Sequence, residues 1–522
     1  MLGSATLVSV ATSLSRIGGL VREQLFAALL GAGFYSDAFV VAFRVPNLLR
    51  DLLAEGALST AFVPTFTTTL VQRGQRQAFA LGNLVLTTLL FVTAAVVLVG
   101  WLFADPIVYL IAPGFADTPG KLDLTATLTR VLLPFLPMVA LAAVFMGMLN
   151  AQQRFFVPAV APALFNAAAI VVGLSLLWAG VDGRAAVIAW ALAVLLGGLL
   201  QMGVQILPLR ASGWRYRPRF HPHFDDPQLR QIMRLMAPAV IGLSATQLNI
   251  LINNILASQL EQGSPSWINY AFRLMQLPIG VFGVAVATVN LAAVSRHAAA
   301  EDHDAFRATL AASLKLVAFL TLPATAGLVA LREPIIGLLY EHGRFSAYDT
   351  ARTAEVLSLY AIGLVAYAGV KVMAPAFYAL HAPRVPLFAS IAAVVCNVVA
   401  NLLLYRRLGA PGLALGTSIG ALVNAGMLYL LFVQRYGSLD GRDLAWQVVR
   451  VAAAALPMAI VCRLVARALE QRFGSDSVTA DLLVTLPPIL LGILLYFGLA
   501  HLLRLHETRQ VVQLLRRVVR RR

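Results

Sequence analysis

The chain has 522 residues, of which 59% are hydrophobic and 12% are charged, and its formal net charge is +16. A soluble globular chain has about 25% charged residues, so this composition excludes an ordinary soluble protein and indicates a membrane protein. In a membrane protein the basic residues are read loop by loop as signals of orientation, so the net charge does not indicate binding to nucleic acid.

Apolar stretches of about 20 residues recur from one end of the chain to the other, and each is long enough to cross about 30 Å of hydrocarbon. Lipid offers no hydrogen bonds to the backbone, so each stretch must be a helix. The predicted fold is therefore an all-α polytopic membrane protein with about fourteen transmembrane helices. The predicted spans are 7–32, 35–70, 78–104, 124–150, 157–180, 184–208, 230–260, 266–295, 306–331, 350–380, 385–405, 411–434, 444–468 and 481–503.

Local features refine these predictions. The first stretch contains charged residues and has no basic segment before it, which is unlike a cleavable signal peptide. The second, 35–70, is too long for one straight crossing, and Pro46 and Pro64 are expected to bend or break it. Cys396 and Cys462 both lie in apolar stretches, so no disulfide framework is expected.

The distribution of Lys and Arg between the spans predicts the orientation. With the N-terminus in the cytoplasm, the inward connections hold roughly twice as many basic residues as the outward ones, as the positive-inside rule requires. The segment 208–234 and the C-terminal tail contribute most. Both termini are therefore predicted to be cytoplasmic, in an inner-membrane protein.

The sequence contains an internal repeat. Residues 42–44 (Ala-Phe-Arg) recur at 271–273, residues 105–108 match 333–336, and residues 156–158 match 384–386, all at nearly the same offset. Each repeat holds six predicted spans, an even number, so the copies share one orientation and predict a parallel pseudo-two-fold. The predicted division is an N-lobe at 1–209, a basic cytoplasmic linker at 210–229, a C-lobe at 230–436, two additional helices at 437–505 and a basic cytoplasmic tail at 506–522.

The first two predicted spans contain charges that lipid would not tolerate. A charge at the bilayer centre costs about 2.5–3.5 kcal/mol or more, so these residues must pair, face a wet cavity or lie near the interface. Their signed sum is zero, which keeps pairing open for all of them. They are Arg16, Arg22, Glu23, Asp37, Arg44, Arg50, Asp51 and Glu55.

A cavity role is favoured for Arg22 and Arg50, with a structural role as the alternative. Arg273 is the single charged residue of the span 266–295, which indicates that it meets an anion from another span or from a ligand. A guanidinium suits phosphate because its planar fork makes bidentate, charge-assisted hydrogen bonds and stays protonated. Three such groups meeting in a midplane cavity would bind a pyrophosphate-sized anion.

Two asparagines give a weaker signal. Asn397 and Asn401 lie four residues apart in the span 385–405. They could help to hold a cation together with backbone carbonyls. The favoured alternative is that they join transmembrane helices, which buried polar side chains commonly do.

Motifs for energy coupling and catalysis are not found in the sequence. The segment that ends in Gly120-Lys121 has the wrong spacing for a phosphate-binding P-loop and no Ser or Thr after the Lys. No His/Cys cluster has metal-ligand spacing, and no Ser/His/Asp constellation is apparent. The sequence therefore predicts a transporter rather than an enzyme, without a cofactor, driven by an ion gradient (Na⁺ or H⁺) or by the membrane potential.

A set of short segments distributed along the chain carries a resemblance to a known family. These segments are 15–23 (SRIGGLVRE), 31–33 (GAG), 36–39 (SDAF), 43–50 (FRVPNLLR), 54–57 (AEGA), 112–115 (APGF), 149–150 (LN), 154–155 (RF) and 273–275 (RLM). They resemble the MurJ/MviN family, and the resemblance covers essentially the whole chain and is most specific in residues 15–66.

That resemblance implies a flippase of the multidrug/oligosaccharidyl-lipid/polysaccharide exporter superfamily. Its cargo would be lipid II, the undecaprenyl-pyrophosphate-linked peptidoglycan precursor, moved from the inner to the outer leaflet by alternating access. Two six-helix lobes would form a V around a cationic cavity, and the helices in 437–505 would form a groove for the lipid tail. Other expected partners are membrane lipids and, as a further candidate, the cell-wall synthesis machinery.

The resemblance also implies roles for particular residues. Arg22, Arg50 and Arg273 would contact the pyrophosphate, and the supporting charges would be Arg16, Asp37 and Glu55. The chain departs from the family at Phe272, where relatives can have an acidic residue before the arginine. Some relatives bind sodium between the seventh and eleventh spans, and Asn397 and Asn401 match part of that site, without an obvious acidic ligand in this chain.

Two other classes of function stay open at this point. An ion-coupled multidrug or organic-cation antiporter of the same superfamily would need uncompensated acids in its cavity. An intramembrane enzyme acting on polyprenyl phosphate would need paired acids with a metal ion, or a nucleophile with a base.

Overall fold

A computed structural model of the protein describes residues 2–52, 58–218, 226–474 and 477–508. Every regular element within these ranges is helical, so the all-α prediction is confirmed. The α-helices in chain order are α1 (Leu2–Leu30), α2 (Phe34–Arg50), α3 (Leu58–Arg73), α4 (Gln75–Leu102), α5 (Ala104–Ile111), α6 (Lys121–Leu132), α7 (Phe135–Ala151), α8 (Phe156–Trp178), α9 (Gly183–Ala211), α10 (Pro227–Ser258), α11 (Ser264–Pro278), α12 (Val284–Ala299), α13 (His303–Ala330), α14 (Arg332–Tyr340), α15 (Ala347–Ile362), α16 (Leu364–Ala379), α17 (Arg384–Leu408), α18 (Ala410–Tyr436), α19 (Gly441–Phe473) and α20 (Val478–Leu502).

The described chain divides into two compact units. Unit 1 is Met1–Ser266 with the short segment His342–Phe345, and unit 2 is Trp267–Glu341 with Ser346–Arg522. The predicted lobes follow the sequence repeat and divide at the linker, whereas the compact units divide after Ser266. The compact units are defined by contacts within the structure and the predicted lobes by the sequence repeat, so one division does not test the other. The predicted lobe boundaries therefore stay a prediction.

In unit 1, α8 packs against both α1 and α9, and these contacts position the charged helices. Phe26 of α1 lies between two aromatic rings, with centroid distances of 5.5 Å to Trp190 of α9 and 5.0 Å to Phe39 of α2. A Cβ at Gly173 of α8 would come within 2.7 Å of the Trp190 ring. Glycine therefore allows the close helix approach that small residues provide in membrane proteins.

The helix α10 also belongs to unit 1, although the repeat assigns it to the second copy. Specific hydrogen bonds hold it there. Asn254 donates to the carbonyl of Ile111 at 3.1 Å, and Gln228 donates to the hydroxyl of Thr69 at 3.1 Å. These polar contacts at both ends of α10 explain why the compact unit extends beyond the first six predicted spans.

In unit 2, the last two helices are packed onto the preceding ones. The helix α19 lies against α13, and α20 lies against α19 and α14. The hydroxyl of Tyr496 donates to the carbonyl of Phe319 at 2.6 Å, and the hydroxyl of Thr485 donates to the carbonyl of Pro334 at 3.0 Å. The region 437–505 is thus an integral part of unit 2.

Ten helical stretches of the described chain are long and apolar enough to cross a membrane, and the bent pair of α15 and α16 would be an eleventh. The predicted spans outside this set are the first, the second and the seventh, which correspond to α1, to α2 with α3, and to α10. This supports a multi-pass membrane protein, while the count of fourteen spans stays a prediction.

The second predicted span consists of two helices. The helix α2 ends at Arg50 and α3 begins at Leu58, while Pro46 and Pro64 lie inside α2 and α3. A break at either proline is therefore not found, since both helices continue through their prolines, while a bend there stays a prediction. Membrane helices tolerate proline where neighbouring groups satisfy the backbone carbonyl that it leaves without a donor.

Candidate functional site

Arg22 of α1 is held by an acidic neighbour. Arg22 donates from Nη2 to Oε1 of Glu23 at 2.7 Å. Its guanidinium also lies 5.1 Å from the centre of the Phe165 ring, a cation–π distance. The side chains of Arg22 and Glu23 are 16% and 10% exposed. The pairing expected from the zero charge sum is therefore found at this position, with a small part of the guanidinium still accessible.

The arginine at the end of α2 is held in a similar way but is more open. Arg50 donates from Nη2 and Nε to Oδ1 of Asp51, at 2.9 and 3.2 Å. The other carboxylate oxygen of Asp51 accepts from Gln247 of α10 at 3.3 Å. The side chains of Arg50 and Asp51 are 28% and 35% exposed. This pair can therefore be reached by a ligand without unfolding the helix.

Where α2 meets α10, unit 1 contains a small polar cavity of about 20 Å³. That volume suits a single water molecule and is too small for a pyrophosphate. The cavity is lined by Arg44, Asn47, Leu48, Asp51, Gln247, Ile250, Leu251 and Asn254.

Asp37 of α2 is fully buried. Its Oδ2 accepts from the ammonium of Lys121 and from the backbone N–H of Gly263, both at 2.8 Å. Its Oδ1 accepts from the hydroxyl of Ser266 at 2.6 Å and from the backbone N–H of Ser266 at 3.2 Å. With both oxygens bonded twice, this carboxylate ties α2 to α6 and to the start of α11, a structural task.

Lys121 is the partner that the sequence did not reveal. Its side chain is 3% exposed, and its ammonium lies 4.3 Å from the centre of the Phe115 ring. It comes just before the predicted span 124–150, where a lysine is ordinarily taken for an interfacial residue. Its neighbours in the sequence are Pro119, Gly120, Leu122 and Asp123, and nothing among them points to Asp37.

The other predicted site residues are more scattered. Arg16 is exposed on α1, and Glu55 lies outside the described residues. Arg273 is exposed on α11 in unit 2, and the preceding Phe272 packs against Tyr360 with ring centroids 5.6 Å apart. Since Arg22 and Arg50 belong to unit 1, the meeting of all three arginines at one anion stays a prediction.

Asn397 and Asn401 are buried on α17, which packs along α18. Nδ2 of Asn401 donates to Oδ1 of Asn397 at 3.0 Å. A Cβ at Gly416 of α18 would lie only 1.9 Å from Oδ1 of Asn401. This close packing favours the helix-joining role. Within the described ranges no group of three or more His, Cys, Asp or Glu side chains is placed to hold a metal ion, and the cation site stays a prediction.

The sequence of this chain matches a family of known proteins. The family model for the lipid II flippase MurJ matches residues 26–482. The lipid II flippase MurJ of Burkholderia cenocepacia is 35% identical over 426 residues, which are 81% of this chain and 82% of that protein. The probable lipid II flippase MurJ of Rhizobium meliloti is 37% identical over 463 residues, which are 87% and 84% of the two chains.

Solved structures agree with the sequence comparison. A lipid II flippase MurJ in an inward closed conformation has a TM-score of 0.79 at 26% identity, covering 97% of this chain and 100% of that chain. An inward-facing multidrug resistance MATE family transporter of the MOP superfamily has a TM-score of 0.69 at 16% identity, covering 84% and 99%. At that identity the second likeness is one of fold alone.

Proposed function

Because the chain belongs to the lipid II flippase MurJ family, we propose that it flips lipid II from the inner to the outer leaflet of the bacterial cytoplasmic membrane. The observation that carries this proposal is the family match over residues 26–482. The membrane-span candidates support a protein that resides in the bilayer. We infer transport rather than catalysis, with peptidoglycan synthesis as the process served and its enzymes as further candidate partners.

The proposed topology has fourteen spans, with both termini in the cytoplasm. It adds α1, α2 with α3, and α10 to the eleven apolar candidates that result when the bent pair of α15 and α16 is counted as one span. The added helices at the N-terminus, α1 and α2, carry the charged residues between Arg16 and Arg50, which lower their hydropathy. Charged spans of this kind are typical of substrate pathways in membrane proteins. The two parallel six-helix lobes and the two additional helices remain part of the proposal.

We assign the pyrophosphate of lipid II to Arg22, Arg50 and Arg273. The support in unit 1 is that Arg22 and Arg50 are each bonded to the carboxylate of the next residue and remain partly exposed. A phosphate can replace a carboxylate at a guanidinium, because both offer paired acceptor oxygens to the planar fork.

The proposed cycle is alternating access. Binding of the pyrophosphate would neutralise positive charge that otherwise opposes closure around the cargo. The proposed energy source is an ion gradient (Na⁺ or H⁺) or the membrane potential, which supplies about 2.3 kcal/mol per elementary charge and 100 mV. Asn397 and Asn401 remain candidates for an ion site, although their packing supports a structural role.

The polyprenyl tail is proposed to travel in lipid along α19 and α20. The support is an apolar stripe on α19, where Leu456, Ile460 and Leu464 follow one another at intervals of four residues and are each at least 60% exposed. Leu490 and Leu494 are similarly exposed on α20. Residues four apart lie on one helix face, so these side chains offer a continuous surface to an acyl or polyprenyl chain.

The alternative, an ion-coupled multidrug or organic-cation antiporter, is supported by fold similarity alone. Such a protein would need an acidic group left available for a cationic substrate. In unit 1, Glu23, Asp37 and Asp51 each bind a cationic side chain of the same unit. These pairs engage the acidic and the basic side chains alike, so the family match over residues 26–482 is what favours the flippase.

The test is the exposure of lipid II on the outer leaflet of cells that rely on this protein alone. Wild type is compared with Arg273→Ala, and with Arg296→Ala as the control, at matched membrane abundance. Arg296 is exposed near the end of α12 and has no proposed contact with the cargo.

We expect exposure to fall sharply in Arg273→Ala while lipid II accumulates inside, and to stay unchanged in the control. Equal exposure in all three strains would show that Arg273 is structural. Absence of exposure in the wild type would remove the assignment of the cargo.

A further inference from the structure

A second cationic feature lies in unit 1 at the start of α4. A cavity of about 670 Å³ is enclosed by the first turns of α4 and by residues 212–218, which follow α9. Arg76, Arg215 and Arg217 line it, and all three side chains are exposed. No carboxylate lines it within the described part of the chain, and none of the residues assigned to lipid II does. We call this feature the arginine cradle.

The backbone that carries two of these arginines is fixed by buried contacts. Trp214 is 3% exposed, and its Nε1 donates to Oδ1 of Asn83 on α4 at 2.8 Å. Nδ2 of Asn83 donates in return to the carbonyl of Arg215 at 3.0 Å. Gln75, the first residue of α4, donates to the carbonyl of Ser212 at 2.8 Å. Because the backbone of this segment is already ordered, binding of a ligand costs the side-chain entropy of the arginines but little backbone entropy.

The position of the cradle along α4 indicates which ligand it meets. Beyond the cradle, α4 is apolar enough to cross a membrane, and its outer face exposes Phe91, Leu98 and Trp101. Its polar beginning therefore lies where the hydrocarbon ends and the headgroups start. Tyr216 is 42% exposed beside the cradle, and tyrosine is enriched at this depth of the bilayer.

We propose that the arginine cradle binds the phosphate of an anionic phospholipid headgroup in the leaflet that α4 enters. The orientation predicted from the basic residues makes this the cytoplasmic leaflet, which is rich in anionic lipid. Guanidinium groups bind phosphate oxygens in bidentate fashion, and the cradle is large enough for a headgroup. The shared chemistry is a phosphate, so a lipid headgroup and free phosphate must be told apart by experiment.

The experiment uses the full-length protein purified in detergent and native mass spectrometry. Binding of phosphatidylglycerol is compared with binding of phosphatidylcholine that has the same acyl chains. The test variant is R76Q/R215Q/R217Q. The control variant R296Q/R406Q/R407Q removes the same charge from exposed arginines on other helices. Thermal unfolding of each variant shows that it is folded.

Each juxtamembrane arginine contributes about fivefold to the affinity for an anionic surface. We therefore expect the cradle variant to bind phosphatidylglycerol about a hundredfold more weakly, while the control variant and the binding of phosphatidylcholine are unchanged. The single change Arg217→Gln, expected to weaken binding about fivefold, serves if the triple variant does not fold.

Three results would overturn the proposal. An equal loss in both triple variants would mean that only net charge matters. Undiminished binding by the cradle variant would show that the arginines are not the site. Complete displacement of phosphatidylglycerol by millimolar inorganic phosphate would assign the cradle to soluble phosphate instead of a headgroup.

Discussion

Asp37 and Asp51 stand at opposite ends of α2, and each is bonded to a cation, yet their surroundings differ. Asp37 is fully buried with Lys121, whose side chain is 3% exposed. Asp51 and its partner Arg50 are 35% and 28% exposed. The first carboxylate is enclosed by donors from two other elements, whereas the second is partly exposed. Along one helix, burial thus separates a pair that holds the fold from a pair that a ligand can reach.

The energetic consequences of removing one partner differ accordingly. A buried ion pair gains little over an apolar replacement of both partners, but loss of one partner leaves a charge without compensation in a medium of low dielectric. An exposed pair is worth about 0–1 kcal/mol because water and salt screen it. The two pairs of α2 should therefore respond in opposite ways to mutation, one in stability and the other in transport.

The largest effect is expected for Lys121→Met. The methionine fills a similar space, but the carboxylate of Asp37 loses its cation while remaining fully buried. We expect the free energy of unfolding to fall by about 3–5 kcal/mol. Thermal unfolding of the purified protein in detergent, together with the yield of folded protein in membranes, measures this loss.

The matched control is Asp123→Asn, two residues further along α6. Asp123 is 69% exposed and pairs with Arg184 at 3.7 Å, so its neutralisation should change stability by less than about 1 kcal/mol. The double variant Asp37→Asn/Lys121→Met should recover part of the stability lost in Lys121→Met. If Lys121→Met unfolds like the control, the buried pair does not hold unit 1 together and the comparison fails.

The opposite pattern is expected for Arg50→Ala. Its pair with Asp51 is partly exposed, so stability should change by only about 1 kcal/mol or less. If the pyrophosphate binds there, loss of a charged hydrogen-bonding partner of about 1.5–3 kcal/mol should reduce lipid II export about ten- to hundredfold. Export is measured as outer-leaflet exposure at matched abundance.

Two further variants define the cause of that loss. Arg50→Lys keeps the charge but not the planar fork, and should give an intermediate export rate. Arg73→Ala removes an exposed arginine from the last turn of α3 and should export normally. Normal export by Arg50→Ala would mean that the exposed pair is as structural as the buried one.

The sequence predicted those parts of the molecule that depend on local pattern. Helical spans follow from apolar stretches, and the cluster of charges in α1 and α2 is visible by counting. The Arg22–Glu23 and Arg50–Asp51 pairs join adjacent residues, so the sequence alone is enough to suggest them. Pro46 and Pro64 lie inside α2 and α3, so neither proline ends its helix.

Contacts between distant segments could not be predicted in this way. Asp37 and Lys121 are 84 residues apart, and Trp214 and Asn83 are 131 residues apart. Each residue alone has an ordinary alternative as an interfacial or packing side chain. Which of them meet is decided by how helices pack, and a single sequence carries no signal for that.

In unit 2, the choice between a structural role and a ligand-binding role also arises for two uncharged side chains. Asn397 and Asn401 are buried and bonded to each other, and α18 approaches them through Gly416. If these asparagines join the helices, as Asp37 and Lys121 do in unit 1, crowding them should lower stability. If they instead form a flexible ion site, the protein should accommodate a small added group there by shifting the amide.

The change that decides this is Gly416→Ala, because the new methyl group would lie 1.9 Å from Oδ1 of Asn401. Overpacking of this kind costs about 1–3 kcal/mol, which thermal unfolding in detergent can resolve. Gly426→Ala on the same helix is the control, since a Cβ there meets no atom within 4 Å and should leave stability nearly unchanged. Equal unfolding temperatures for the two variants would show that the amide moves freely. The asparagines would then belong with Arg50, as groups available to a ligand, and not with Asp37.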